Sequence, residues 1–221
     1  MGRWLVLGNS PALRTVDLAD IPDTVTTIGV NRIARSGYVP DYIMLLKAGD
    51  VEDEYVPAVG LIKGGVVCLP KGKFAYRSDA IHILNRAQSW QKMPQLPVQP
   101  SEPFHHGGGA CWAVQFALTH GATHIGVIGI DWNAGQSREA KQATHFYGHN
   151  TAFVIPPDLP SIDELMVWRA MLDAAECWNL SPYPETPFDK VGWPRKPWKE
   201  WLSQGEVAAT TAATTIPGLE H

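Results

Sequence analysis

The chain has 221 residues, of which 45% are hydrophobic and 18% charged, and its formal net charge is -4. This composition is that of a folded globular protein, and it argues against a disordered chain, a membrane-embedded one and a basic nucleic-acid-binding domain. The length suits one domain, because a single core stops growing at roughly 250–300 residues. We expect that domain over residues 1–205, with a lid or insertion at about 71–103, and a flexible tail with a vector-derived end over 206–221.

The cysteines and the N-terminal residues indicate the cellular compartment of the protein. Cys68, Cys111 and Cys177 are odd in number and far apart in apolar stretches, which predicts buried, reduced thiols and no disulfide framework. The N-terminus runs directly into a strand-like segment without the pattern of a signal peptide. No apolar run reaches the roughly 20 residues that span a bilayer. A cytoplasmic protein without a membrane span is therefore expected.

The first part of the chain is predicted to form buried strands. Four short segments rich in apolar and β-branched residues have the length of strands: Trp4–Leu7, Thr24–Asn31, Asp41–Leu46 and Val66–Leu69. The first of them runs into the turn Gly8-Asn9-Ser10-Pro11. A buried strand that ends in a glycine turn is typical of the opening unit of a nucleotide-binding α/β domain. The less regular stretch that follows carries one expected helix, at about Asp79 to Ala87.

The second part alternates helices and strands. A run of three glycines at 107–109 precedes a predicted helix over Ala110–His120, which ends at Gly121. The next predicted elements are a strand over His124–Ile130, a helix from the capping box at Ser161 to about Trp178, and a short strand at Asn179–Ser181. We expect Trp193, Trp198 and Trp201 to form a packed edge rather than a sugar-binding platform. The whole pattern predicts an α/β fold: a Rossmann-like, mostly parallel sheet with helices on both faces.

Three glycine- and asparagine-containing turns are candidates for binding a nucleotide. The turn at Gly8, Asn9 and Ser10 offers backbone N–H groups to phosphate or ribose, although it could also be a plain tight turn. It matches neither a dinucleotide fingerprint nor a P-loop. Asn31 could bond a base or ribose, or cap a turn. Gly108 and Gly109 would let the backbone approach a ligand, or act as a hinge.

A later loop carries the groups best suited to acid–base chemistry. His145 and His149 flank a tyrosine and a glycine, and a histidine there could serve as a general base for an acceptor hydroxyl. Asp131 follows a predicted strand and could bind ribose or a metal, or cap its turn. A metal site of two histidines with Asp131 is conceivable, but no further ligand stands at a suitable spacing, so we predict no metal.

The order of these motifs resembles the bacterial sialyltransferase family that works with one Rossmann-like nucleotide domain, and the related flagellin-glycosylation proteins. The matching segments span most of the chain: Leu5–Leu13, Gly29–Asn31, Pro40–Tyr42, Gly107–Gly109, Ile128–Asp131 and His145–His149. The family's usual Gly-Asn-Gly-Pro-Ser is here Gly8-Asn9-Ser10-Pro11-Ala12. The same fold resemblance reaches the archaeal-type pterin pyrophosphokinases.

The resemblance implies a glycosyltransferase that moves a sugar from a CMP- or UDP-sugar to a glycan or other hydroxyl acceptor. The implied nucleotide-binding residues are Gly8, Asn9, Ser10, Asn31, Gly108, Gly109 and Asp131, and the implied base is His149, or else His145. No resident cofactor is implied beyond the donor substrate. Two alternatives stay open: an ATP- and magnesium-dependent pyrophosphokinase-like enzyme, and a nucleotide-binding protein without catalysis. A homo-oligomer is also left open.

Overall fold

The computed structural model describes residues 2–45, 65–68, 109–131 and 162–204. In these ranges six strands form one sheet, and every neighbouring pair is parallel. The strands are β1 (Gly2–Leu7), β2 (Thr26–Val30), β3 (Tyr42–Leu45), β4 (Gly65–Cys68), β5 (Ala122–Ile128) and β6 (Glu176–Asn179). Their order in the sheet is β4-β3-β2-β1-β5-β6. The predicted Rossmann-like α/β class is confirmed.

Strand β1 shows why the strands are apolar without alternation. Trp4 and Val6 point into the hydrophobic cluster on one face of the sheet, whereas Leu5 and Leu7 belong to the cluster on the other face. All four side chains are at most 5% exposed. A parallel sheet that is covered on both faces requires apolar residues at every position of a central strand. The sequence of β1 is therefore apolar at consecutive positions and does not alternate between apolar and polar residues.

Helices cover both faces. On the first face lie α1 (Gly109–Thr119) and α2 (Ile162–Met171), whose buried side chains join Trp4 and Val6. On the second face lie α3 (198–204) and two 3-10 turns, Pro11–Thr15 and Ile33–Ser36, packed against Leu5 and Leu7. Helix α1 ends where Gly121 adopts a left-handed backbone with φ of 80°, as the sequence predicted.

The predicted extent of the second long helix is wrong. Helix α2 ends at Met171, whose carbonyl accepts hydrogen bonds from the N–H groups of Ala174 and Ala175, both at 3.1 Å. Strand β6 then begins at Glu176, three residues before the predicted strand. Cys177 is 1% exposed and pairs in register with Ile125 of β5. Pairing with an existing strand therefore overrides the helical preference of this segment.

The aromatic residues near the C-terminus form the packed edge that the sequence predicted. Trp193, Trp198 and Trp201 are 2%, 7% and 1% exposed. The indole N–H of Trp193 donates to the carbonyl oxygen of Trp168 at 2.7 Å, so a helix and the C-terminal segment are joined by both packing and hydrogen bonding. Most of the surface of these rings is therefore buried against the rest of the protein.

Two of the predicted thiols can be placed. Cys111 and Cys177 are free and buried, as expected. None of the helices in the described part of the chain has both the length and the apolar character that a bilayer crossing requires. Several predictions lie outside the described residues: the lid at about 71–103, the helix near residue 79 and the tail over 206–221. The single domain over 1–205 stays a prediction.

The strand order creates a crevice at one edge of the sheet. From β1 the chain adds β2, β3 and β4 on one side, whereas β5 and β6 lie on the other side. The strand that follows β1 in the chain and the strand that follows β5 therefore lie on opposite sides of this adjacent pair. In open α/β sheets, ligands bind in the crevice at such a switch point.

Candidate functional site

The loops after β1 and β5 touch along their backbones at the switch point. The N–H of Gly8 donates to the carbonyl oxygen of Ile128 at 2.8 Å, and the N–H of Ser10 donates to that of Gly129 at 2.9 Å. A Cβ atom on Gly8 would lie 2.1 Å from the Gly129 carbonyl oxygen. Glycine at position 8 is therefore required by close backbone approach.

A hydrogen bond between side chains crosses the same point. Ser10 and Asp131 are 7% and 1% exposed, and the Ser10 hydroxyl donates to Oδ2 of Asp131. The Ser10 oxygen also accepts the N–H of Ala12 at 3.2 Å, which caps the 3-10 turn Pro11–Thr15. Two predicted site residues from distant parts of the sequence are thus in direct contact.

The charge of Asp131 is only partly compensated. Burial raises the pKa of its carboxyl group above the usual value, while the hydrogen bond from Ser10, the nearby Ser181 hydroxyl and the positive charge of Arg195 act in the opposite direction. Burial is the larger effect. Asp131 is thus a buried carboxylate that its surroundings hold in place without fully neutralising.

The two predicted asparagines lie near the ends of adjoining strands. The Asn9 side-chain amide donates to the carbonyl oxygen of Val30 at 2.8 Å, which ties the first turn to the end of β2. Asn31 follows β2 in a left-handed conformation with φ of 49°, and its N–H donates to the carbonyl oxygen of Met44 at 2.8 Å. A non-glycine residue in this conformation is uncommon, and such residues concentrate at functional sites.

Two buried acceptor oxygens at the switch point have no partner among the described residues. Oδ1 of Asn9 and Oδ1 of Asp131 are both buried, and neither has a hydrogen-bond partner among the described residues. Four backbone N–H groups of the turn already have acceptors within the protein: those of Gly8, Ser10, Ala12 and Leu13. Because a buried acceptor without a donor is costly, the two oxygens favour a ligand that brings hydroxyl or amino groups.

Two contributors to this site did not stand out in the sequence. Ser181 follows β6, and both its hydroxyl group and the positive charge of Arg195 lower the pKa of the Asp131 carboxyl group. The only signal for Ser181 was its position at the end of a predicted strand. Nothing in the local sequence distinguished Arg195 from a solvated cation, because its role depends on the return of the C-terminal segment to the sheet edge.

A cleft of about 510 Å³ opens beside Ser181. Its walls come from the segment after the first 3-10 turn, the loop after β6 and the start of α3: Thr15, Val16, Leu180, Ser181, Pro182, Pro184, Arg195, Lys196, Pro197 and Trp198. The volume is within the range of small-molecule pockets. One wall of the cleft is thus shared with the network around Asp131.

The remaining predicted residues are only partly placed. Gly109 is the first residue of α1. Gly108 and both candidate bases, His145 and His149, lie outside the described residues, so the structure does not test their roles. Within the described ranges, no three metal-ligating side chains come together.

No protein-family model matches the sequence, and no curated protein matches it. Solved structures do resemble it. The sialyltransferase CST-II in complex with CMP is 12% identical, with a TM-score of 0.50 over 88% of this chain and 86% of that chain. Monomeric CstII is 10% identical, with a TM-score of 0.50 over 81% of each chain.

A third match is the monofunctional alpha-2,3-sialyltransferase Cst-I from Campylobacter jejuni, 13% identical, with a TM-score of 0.48 over 97% of this chain and 96% of that chain. At such identities a likeness concerns the fold alone. The predicted relation to pterin pyrophosphokinases gains no support from these matches and stays a prediction. The chain is similar in fold to the CST-II sialyltransferase.

Proposed function

We propose that this protein is a glycosyltransferase that moves a sugar from a nucleotide-sugar donor to an acceptor hydroxyl, with the nucleoside part of the donor in the switch-point crevice. One observation carries the proposal: Asn9 and Asp131 leave two buried, unpaired acceptor oxygens at the edge of the sheet where such folds bind nucleotides. The hydroxyl groups of a ribose and the amino group of a cytosine are donors of the required kind.

The fold likeness supports the same reading. The neighbour CST-II was solved in complex with CMP, and the alignment covers most of both chains. CMP combines a ribose with a base that carries an exocyclic amino group. A CMP-sugar is therefore our first choice of donor, and a UDP-sugar is the second.

The proposal divides the donor between two parts of the site. Four N–H groups of the β1 turn already have acceptors within the protein, so we assign the phosphate to the backbone at Gly108 and Gly109. Gly109 begins α1, an 11-residue helix whose first N–H groups lack partners within the helix. The acidic Asp131 would then face the nucleoside and not the phosphate, which avoids placing two negative charges together.

The chemistry then needs one proton acceptor. We assign this role to His149, or otherwise His145, which takes the proton of the acceptor hydroxyl. The acceptor oxygen forms a bond to the anomeric carbon as the bond from that carbon to the donor's phosphate oxygen breaks. The nucleotide leaves with the bonding electron pair, as CMP from a CMP-sugar or UDP from a UDP-sugar.

Nucleotide binding is the first test. We would measure the melting temperature with CMP, UDP, ADP and ATP, each with and without magnesium, because a ligand that binds only the folded state raises it. Stabilisation by CMP or UDP without metal would support the proposal. If only ATP together with magnesium raised the melting temperature, the pyrophosphokinase-like alternative would replace the proposal. If no nucleotide raised the melting temperature, nucleotide binding would be refuted.

Two variants locate the binding. Asp131→Asn keeps the shape of the side chain but removes its charge and one acceptor, and Asn9→Leu removes the other acceptor. Each should weaken CMP binding by roughly 5- to 30-fold, since one hydrogen bond lost at a buried group costs about 1–2 kcal/mol. Thr123→Ala, at the start of β5 on the opposite edge of the sheet, is the matched control. Equal losses in all three variants would contradict the proposed location.

Turnover separates an enzyme from a binding protein. With a CMP-sugar and a hydroxyl acceptor, His149→Ala should abolish release of CMP while leaving CMP affinity intact, and His145→Ala identifies the base if His149→Ala does not. Binding without any release of CMP by the wild type would favour the non-catalytic alternative.

A further inference from the structure

The cleft beside Ser181 has one wall that is held by many hydrogen bonds. This wall is the loop after β6, and Asn179 anchors it: its Oδ1 accepts the Ser181 N–H at 3.0 Å, and its Nδ2 donates to the Thr186 hydroxyl at 2.9 Å. The guanidinium of Arg195 donates to the carbonyl oxygen of Ser181 at 3.0 Å and also to that of Tyr183. The wall is therefore formed before a ligand binds, as in most small-molecule pockets.

The surface of the cleft is mainly apolar. Six of its ten lining residues are valine, leucine, proline or tryptophan: Val16, Leu180, Pro182, Pro184, Pro197 and Trp198. Proline has no N–H group, so the three prolines offer a ligand no backbone donor. The N–H groups of Leu180, Ser181 and Lys196 already donate to acceptors on β5 and β6, at 2.9, 3.0 and 3.1 Å. A ligand in the cleft therefore depends chiefly on side-chain donors.

The charge at the cleft is positive. Arg195 and Lys196 line it, and none of the ten described residues that line it carries a carboxylate. Arg195 is already paired, because its Nη1 donates to both carboxylate oxygens of Asp189 at 3.0 and 2.9 Å. The Lys196 ammonium lies 3.6 Å from the centre of the Trp178 ring, and no carboxylate of the described ranges forms an ion pair with it. Lys196 is therefore available to an anionic ligand.

A buried donor without a partner belongs to the same cleft. Trp198 lines the cleft and is 7% exposed, and its indole N–H has no hydrogen-bond partner in the part of the chain that the structure describes. An indole can only donate, so the partner that it lacks must be an acceptor such as a carboxylate oxygen. Because an unpaired buried donor costs free energy, the cleft favours a ligand that brings an acceptor to it.

We propose that this cleft binds a small organic carboxylate, whose apolar body packs against the proline and leucine surface while its carboxylate pairs with Lys196 and accepts the Trp198 indole N–H. Burial of apolar surface supplies most of the affinity, and the charge supplies the specificity. Asn9 and Asp131, which we assign to the nucleotide, do not line the cleft. The site therefore goes beyond the proposed function and does not depend on it.

Pairs of an acid and its amide test whether the cleft recognises charge. We would titrate ¹⁵N-labelled protein with benzoate, hexanoate and 3-phenylpropionate, each beside its neutral amide, and follow the indole N–H signal of Trp198, assigned by triple-resonance NMR. At least one carboxylate should move this signal downfield, and its amide should bind at least 3-fold more weakly. An unmoved Trp198 signal with all three carboxylates, or equal affinity for acid and amide, would overturn the proposal.

Two lysine variants locate the cation. Lys196→Gln removes the charge at the cleft, whereas Lys199→Gln removes an exposed lysine of α3 that does not line it. Lys196→Gln should weaken carboxylate binding by about 3- to 5-fold, the upper range for a partly exposed ion pair, and leave amide binding unchanged. Lys199→Gln should change neither. Equal effects of the two variants on carboxylate binding would mean that only overall charge matters and would overturn the role of Lys196.

A bulky side chain tests the position of the apolar body. Thr15 is an exposed residue of the cleft, so Thr15→Trp should fill it and abolish binding of both acid and amide. Thr24→Trp, at an exposed position outside the cleft, is the matched control and should bind both like the wild type. Wild-type affinity in Thr15→Trp would place the ligand elsewhere and overturn the proposal. If Thr15→Trp does not fold, the Trp198 signal of the wild type still decides whether a carboxylate reaches the cleft.

These titrations contain no nucleotide. Failure of the wild type to bind CMP would refute the proposed function and leave the carboxylate site standing. CMP binding together with an unmoved Trp198 signal would have the opposite meaning.

Discussion

Replacing Gly8 by alanine should separate the two loops that form the crevice. The new Cβ atom would lie 2.1 Å from the carbonyl oxygen and 2.6 Å from the carbonyl carbon of Gly129. Both neighbours are backbone atoms and cannot rotate away. Restoring ordinary contact at 3.4 Å would require the ends of β1 and β5 to move apart by roughly 1.3 Å.

The cost can be worked out from the contacts that such a shift breaks. The bonds from Gly8 to Ile128 and from Ser10 to Gly129 would both be stretched beyond hydrogen-bonding range, at about 1 kcal/mol each. Overpacking adds about 1–3 kcal/mol. We expect Gly8→Ala to lose about 3–5 kcal/mol of unfolding free energy, which lowers the melting temperature by roughly 10 °C in a domain of this size.

Chemical denaturation of Gly8→Ala beside Gly37→Ala tests this reasoning. Gly37 has φ of 79°, but no atom lies within 4 Å of a Cβ placed there. Its replacement should cost only the left-handed conformation, about 1–2 kcal/mol. If Gly8→Ala proved no less stable than Gly37→Ala, the close approach of β1 and β5 would be refuted.

Two further predictions concern buried titratable groups. Because burial raises the pKa of Asp131, the folded protein binds this proton more tightly than the unfolded chain, so the unfolding free energy of the wild type relative to Asp131→Asn should rise as pH falls from neutral toward 3.8. Denaturant unfolding of both proteins across that window checks the sign, and a constant difference would contradict it. Burial, followed by the charge of Glu176, raises the pKa of the Cys177 thiol to about 12, and burial likewise raises that of Cys111. Mass-spectrometric mapping should find neither thiol labelled by a thiol reagent at pH 8 in the native protein and both labelled in denaturant, whereas rapid native labelling of Cys177 would contradict its burial in β6.

The elements that the sequence predicted correctly are those whose signal is local. A short apolar run bounded by glycine or proline is enough to indicate a buried strand, and β1 shows this at Trp4–Leu7. Gly121 marked the end of α1 because a left-handed helix terminus strongly favours glycine. The prediction failed at Glu176–Asn179, where the segment pairs with β5 instead of extending α2.

For the candidate site, too, the sequence predicted some features and not others. The positions of Asn9, Ser10, Asn31 and Asp131 at strand ends could be inferred from the sequence, because the carboxyl ends of parallel strands meet at one edge of the sheet. The hydrogen bonds that these residues make could not be inferred from the sequence. Four N–H groups of the turn have acceptors, whereas oxygens of Asn9 and Asp131 have no partner among the described residues, and both facts follow from how two distant loops meet.

By itself, the sequence determined the fold class and the order of the strands along the chain, because apolar period, glycine and proline act over a few neighbouring residues. Only the tertiary structure decided that β5 pairs with β1, that Ser10 meets Asp131 across 121 positions of sequence, and that Arg195 bonds to the loop after β6. Such contacts depend on sheet order and on loops that close over long separations, and no short stretch of sequence encodes a partner that lies so far away.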